Sequence, residues 1–239
     1  MKTKTAFLIS VLCLWPLEVC HAEQTISPFN KAMEAGHTYR GKGDKLAAMA
    51  EFGVALALAE NAGDVARARN QIAFSLKEQK RYEEARVLLS RTLNAKDVDA
   101  GAKTEAQYLF GHSWIDQGNW PKAREAFAKL LEMQSLWPWA QSEAYMIVGI
   151  GLVDEKKYAE ARILLGKCLA CEGGDVSHKN HAQRGIAESF VREGKSSEAI
   201  AAYQTLLKMP ALDETMRKEA EAALAKLQQP NKADAGDGK

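Results

Sequence analysis

The chain has 239 residues, 46% hydrophobic and 26% charged, with 32 Lys and Arg against 31 Asp and Glu. That length supports a sizeable core. The charge balance lacks the basic surplus usual in proteins that grip nucleic acid or anionic membranes, so neither partner is suggested.

Residues 1–22 read as a secretory signal peptide. "MKTKT" carries two lysines, "AFLISVLCLWPL" is an apolar run too short to span a bilayer, and "EVCHA" ends in a small residue before Glu23. Cleavage is expected after Ala22, with export across the inner membrane and a periplasmic location. The alternative, a lipoprotein modified at Cys20, is disfavoured by Val19, since the residue before a modified cysteine is normally small. Processing removes Lys2, Lys4 and Glu18 and leaves basic and acidic residues in equal number. No later apolar run is long enough for a membrane span. Only Cys168 and Cys171 survive, so the core comes from packing rather than from a disulfide framework.

After a short lead-in, 23–28, the chain is rich in Ala, Leu, Glu, Lys, Gln and Arg, with apolar residues recurring at three and four rather than at two. Proline falls between helical segments, at Pro28, Pro138, Pro210 and Pro230. The expected class is all-α. The stretch "FGHSWIDQGNWPKAREAF", from Phe110, recurs along the chain as "IAFSLKEQKRYEEARVLL" from Ile72, "VGIGLVDEKKYAEARILL" from Val148 and "IAESFVREGKSSEAIAAY" from Ile186. A small site (Ala73, Gly111, Gly149, Ala187) and a bulky site (Leu76, Trp114, Leu152, Phe190) step by one constant interval. A second small site (Ala85, Ala123, Ala161, Ala199) and a second bulky one (Leu89, Phe127, Leu165, Tyr203) step by the same interval. A divergent first copy includes Gly36, Tyr39, Gly43, Ala48, Phe52 and Ala55. Each unit reads as two antiparallel helices. The small sites permit close approach, Trp114 and Phe127 fill the space beside it, Trp120 and Tyr158 open second helices, and Gly118 takes the left-handed turn between them.

These columns resemble the tetratricopeptide repeat (TPR), over about residues 29–208. The resemblance implies an α-solenoid of five helix–turn–helix repeats, at about 29–65, 66–103, 104–141, 142–179 and 180–211. The period, about 38 residues, departs from the usual 34. The extra length, about one helical turn, is expected after the second helix, as in "EMQSLWPWAQ" at 132–141. This long-period form is similar to the TPR arrays of periplasmic envelope-assembly proteins. Residues 212–228 carry one apolar stripe, Met216, Ala220, Leu224 and Leu227, and suit a capping helix. The tail 229–239 is expected to be disordered.

No cofactor or metal is expected, and no enzymatic activity. "KCLACEGGDVSHKNH", 167–181, offers two thiolates and two imidazoles to zinc. Cys168, however, falls at an inward position of the repeat, which favours a core cysteine with His178 and His181 in a solvated loop. A labile disulfide stays open. Glu172 rules out haem attachment, there is no Gly-rich phosphate loop, and His37 and His112 lie two repeats apart. The candidate site is instead the concave groove, for a protein or peptide partner. There the face of the first helices presents Phe74, Lys77, Tyr108, His112, Ile115, Met146, Ile150, Val153, Arg184 and Glu188. Glu105, Glu143 and Arg184 are expected at its rim. The carboxylate-clamp pattern of chaperone-binding TPRs is absent. The alternatives are a structural subunit of an envelope complex using its convex face, and a small-molecule or glycan binder using Trp137 and Trp139.

Overall fold

A computed structural model describes residues 26–134 and 136–229. The expected signal peptide, the start of the lead-in and nearly all of the tail lie outside the described residues. Within them the fold is all-α. The helices are α1 (Pro28–Gly41), α2 (Lys45–Ala57), α3 (Ala62–Glu78), α4 (Tyr82–Leu93), α5 (Ala100–Asp116), α6 (Trp120–Leu131), α7 (Pro138–Asp154), α8 (Tyr158–Ala170), α9 (Val176–Glu193), α10 (Ser196–Leu207) and α11 (Glu214–Leu227). None is long and apolar enough to cross a membrane.

The first ten helices pair as hairpins, and α11 packs on α10. Each second helix also touches the next first helix. In addition α3 packs on α5 and α7 on α9, whereas among the described residues no comparable contact joins α4, α6, α8 and α10. Contact among first helices and separation of second helices curves the array, with the first helices on the concave side.

The sequence repeat survives in the backbone. The starts of α3, α5, α7 and α9 are evenly spaced at the interval of the sequence columns, and so are those of α4, α6, α8 and α10. α3, α5, α7 and α9 begin about a turn earlier than the boundaries drawn from the sequence, and α1 one residue earlier. The extra turn therefore opens the first helix instead of following the second. The cause is local. Asn61, Asp99 and Asp175 cap these helices by accepting from the backbone N–H of Asp64, of Ala102 and of Ser177 and His178 respectively. Pro138, a separator in the sequence reading, is the first residue of α7, where its missing N–H costs nothing.

Each hairpin closes on a contact between a small residue of its first helix and a large one of its second. A Cβ on Gly111 would fall 2.8 Å from the Phe127 ring, one on Gly36 2.4 Å from Phe52, and one on Gly149 2.7 Å from Leu165. Phe52, Phe127 and Leu165 are fully buried. Trp114 departs from its expected role. It is half-buried outside that contact, with the Arg86 guanidinium 3.5 Å from its ring centre and the Lys122 ammonium 4.3 Å away.

Candidate functional site

The concave face is built by residues three and four apart on α1, α3, α5, α7 and α9. Its centre is aromatic. Tyr108 on α5 meets Trp139, at the start of α7, edge to face at 4.9 Å, and Phe127 at 6.0 Å. Trp137 and Trp139 stack with 5° between their planes, and both stay open to solvent, at 39% and 43% exposure.

The Tyr108 hydroxyl donates to Glu143 at 2.8 Å, and His112 Nε2 lies 3.3 Å from the same carboxylate. Burial, then the charge and hydrogen bond of Glu143, push the Tyr108 hydroxyl above its ordinary range, so it stays a donor. Burial pushes Glu143 up, but the hydrogen bond and charge of His112, with help from Tyr108 and His178, outweigh it and leave its pKa lowered. Glu143 is therefore not the rim charge expected from the sequence. It is a largely covered carboxylate that fixes two neighbouring side chains.

Met146 and Tyr108 pack on the same cluster of Phe127, Leu130, Ala144 and Ile147, and Ile115 joins them. Ile150 is half-buried and reaches across to α9, its Cγ1 3.3 Å from where a Cβ on Gly185 would stand. Val153 corrects the expected set. At 2% exposure it belongs to the core beside Ala161, Leu165 and Cys168, not to the groove. The remaining expected residues are engaged with neighbours. Lys77 pairs with Asp116 at 2.7 Å and sits over Phe74, which Arg40 covers from 4.7 Å. Arg184 lies 3.5 Å from Glu188 and 3.2 Å from Glu219. Two cavities open on this face. One of about 700 Å³ lies between α1, α3 and α5, around His37, Gln71 and Glu105. The other, of about 480 Å³ and more apolar, lies around Met146 and Ile150, with Arg124 and Arg184 among its walls.

The cysteine–histidine segment separates in space. Cys168 is buried in the core, and burial pushes its thiol up to about 12, so it stays protonated and unreactive. Cys171 ends α8 and points its sulfur at the Pro138 carbonyl, 3.3 Å away. Both thiols are free. His178 and His181 are not in a loop; they occupy the first two turns of α9. His178 Nδ1 lies 3.1 Å from Ser142 Oγ, a pairing that resembles a nucleophile and its base. Ser142 is fully buried, however, and its hydroxyl donates to the Trp139 carbonyl and accepts from the Asp175 N–H. Such a hydroxyl ties three segments together and is not presented to a substrate.

Reading the sequence alone misses the contribution of the second helices. Arg86, Arg124 and Arg162 stand one repeat apart, and Arg86 and Arg162 reach across the junctions between hairpins. Trp139 supplies the outer edge of the aromatic centre. Both carry a signal in the sequence, the first as a repeating column and the second as an aromatic beside a proline.

No curated protein matches the chain in sequence. The tetratricopeptide-repeat family profile matches residues 65–95. Among solved structures, YrrB, a TPR protein with an unusual peptide-binding site, is 15% identical, with 82% of this chain covering 98% of that one at a TM-score of 0.58. A tetratricopeptide repeat protein from Parabacteroides merdae is 16% identical over 83% of this chain and 74% of its own, at 0.63. The apo form of RapI is 14% identical over 86% and 60%, at 0.68. At such identities the likeness is one of fold. With residues 65–95 matched in sequence and the fold shared with these structures, the chain is an α-solenoid that resembles the tetratricopeptide-repeat proteins.

Proposed function

We propose that the protein is a non-catalytic scaffold of the bacterial periplasm or cell envelope, which holds an apolar segment of a partner protein in its concave groove. The observation that carries this reading is the continuous strip from Trp139 over Tyr108 to Met146 and Ile150. A large aromatic stays open to water, its neighbours are fixed by Glu143, and an apolar cavity follows. Rigid, amphipathic aromatics beside a cavity are the usual anchors of binding energy. The basic N-terminus and short apolar run of the chain support export. The fold and the YrrB likeness support peptide recognition as a class.

The test is in-cell crosslinking with mass spectrometry to identify the partner, followed by titration of that partner against groove variants. Trp139→Ala and Tyr108→Ala are each expected to weaken binding by about 2 kcal/mol with far smaller losses in melting temperature than a core truncation. Ile150→Asp is unsuitable as the sole test, because Ile150 also seals the contact with α9. Normal binding by both aromatic variants would refute the groove and turn attention to the convex face.

A further inference from the structure

Arg86, Arg124 and Arg162 occupy one position of three successive second helices. Each lies against the same position of the next first helix, namely Ser113, Gly151 and Ser189. Arg86 donates to Ser113 Oγ at 3.2 Å, to Gln117 at 2.9 Å and to Glu83. Arg162 donates to Ser189 Oγ at 3.1 Å, pairs with Glu193 at 2.7 Å and covers the Phe190 ring from 4.3 Å.

Arg124 keeps only one of these partner positions, Glu155 in the place of Gln117 and Glu193, and holds it as a long ion pair rather than a hydrogen bond. Gly151 offers no hydroxyl and Leu152 no ring. The nearest carboxylates, Asp154 at 3.9 Å and Glu155 at 3.8 Å, are beyond hydrogen-bond reach. Both are taken, Asp154 by Arg192 at 3.0 Å and Glu155 by Lys157 at 2.9 Å. Among the described residues Arg124 makes no hydrogen bond, although its side chain is only 23% exposed. A guanidinium carries five donors, and leaving them unmet while partly removed from water is unfavourable. The arrangement is specific to this repeat. A Cβ at position 151 would fall 1.7 Å from Arg124 Cδ, so glycine is what lets the arginine stem lie along α7. Its head then forms part of the wall of the cavity around Met146 and Ile150.

Resting on the groove reading, we infer that Arg124 receives a side-chain carboxylate of the partner, from an Asp or Glu next to the apolar residue that fills the cavity beside Met146 and Ile150. The guanidinium without a hydrogen bond and the apolar Met146, Ile147 and Ile150 beside it together specify both halves of this ligand, although Asp154 also stands in the wall. An internal segment fits, because the cavity lies between α6, α7 and α9, and Met146, which lines it, packs in one cluster with Tyr108 of the aromatic strip. A chain that also covers Trp139 therefore crosses the cavity without ending there.

The experiment is selection of peptides on the full-length protein from two random dodecamer libraries, one with the peptide flanked at both ends and one with free C-termini. The flanked library should yield sequences that place Asp or Glu close in sequence to a bulky apolar side chain. A synthetic, end-blocked peptide of that type should bind Arg124→Gln about tenfold or more weakly. Gly151→Ser should weaken it as well, by handing Arg124 the hydroxyl its two counterparts possess. The added Cβ must displace the Arg124 stem, but the pairing it copies is one the fold already uses twice, so the helical circular dichroism spectrum should match the parent's. Peptides without an acid, or undiminished binding by Arg124→Gln and Gly151→Ser, would overturn the carboxylate assignment even where Trp139→Ala still weakens binding. Enrichment from the free-C-terminus library alone would overturn the internal segment. Selected peptides indifferent to Trp139→Ala would remove the groove reading and this inference with it.

Discussion

Gly111 and Phe127 show how much one side chain decides. The Phe127 ring is fully buried and lies within 2.8 Å of the Cβ that Gly111 lacks, so it has nowhere to retreat. Gly111→Leu should cost about 2–3 kcal/mol by overpacking, and Phe127→Ala about 3–5 kcal/mol by leaving a cavity. Trp114→Ala should cost less, about 1–2 kcal/mol, because Trp114 is held by two cations over its faces and not by the core. Denaturant melts that rank Trp114→Ala above Phe127→Ala would contradict this packing. Two histidines set a pH dependence. Burial, then Arg40, lowers the pKa of His37; burial, then Arg184, lowers that of His181. The unfolded chain therefore takes up protons near the ordinary value of 6.5, before the folded chain does. Stability is full above that value and falls as the pH drops below it. Thermal melts on either side of that value, near neutrality and in mild acid, should differ less in the double variant His37→Asn, His181→Gln than in the parent.

Among elements, the turn between the helices of a pair is the part most uniformly imposed. Gly43, Lys80, Gly118, Lys156 and Gly194 all take a positive φ there, between 62° and 81°. Glycine does so without strain, and lysine does not. Lys80→Gly and Lys156→Gly should each be neutral to stabilising, by up to about 1 kcal/mol. Clear destabilisation in urea melts would mean that the lysine side chains make contacts worth more than the strain. The turn is legible at Gly118, where a glycine breaks a helical pattern, and silent at Lys80 and Lys156, whose residue type carries no such mark. The same asymmetry runs through the rest. The small-under-large pairs of each hairpin can be read directly, because size is written in the residue. The starts of the first helices cannot be placed, because the capping residues Asn61, Asp99 and Asp175 look like ordinary loop residues until an N–H points at them. Periodicity alone puts Val153 and Ile150 in the groove. Their burial depends on how closely α9 packs on α7, and Gly185 sets that approach from the neighbouring repeat.

At the scale of the molecule, each hairpin buries its faces only against its neighbours, so stability is a sum of hairpin and junction terms along one dimension. The junctions carry named fasteners: Arg86 and Arg162 across hairpins, Asn70 donating to the Ala102 carbonyl, and Asn180 donating to the Pro210 carbonyl. The C-terminal end of the array rests on α11. Met216, Ala220 and Leu224 close over Ala202, Tyr203 and Leu206, leaving a charged outer face. A carboxylate at position 216 would be forced into that cluster without a partner, which is unfavourable by several kcal/mol if α11 stays docked. Met216→Asp should therefore release α11 and expose the apolar face of α10. Because coupling runs only between neighbours, the loss should fade along the array and not unfold it at once. Hydrogen exchange should speed up at amides of α9, α10 and α11 by an order of magnitude or more, while α3 to α6, which include the residues around Tyr108, keep the parent's protection. Groove binding through Trp139 and Tyr108 should persist in the same variant. Uniform acceleration from α1 to α11 would instead mean that the array melts as a single cooperative unit, and that the junction fasteners are stronger than the hairpins they join.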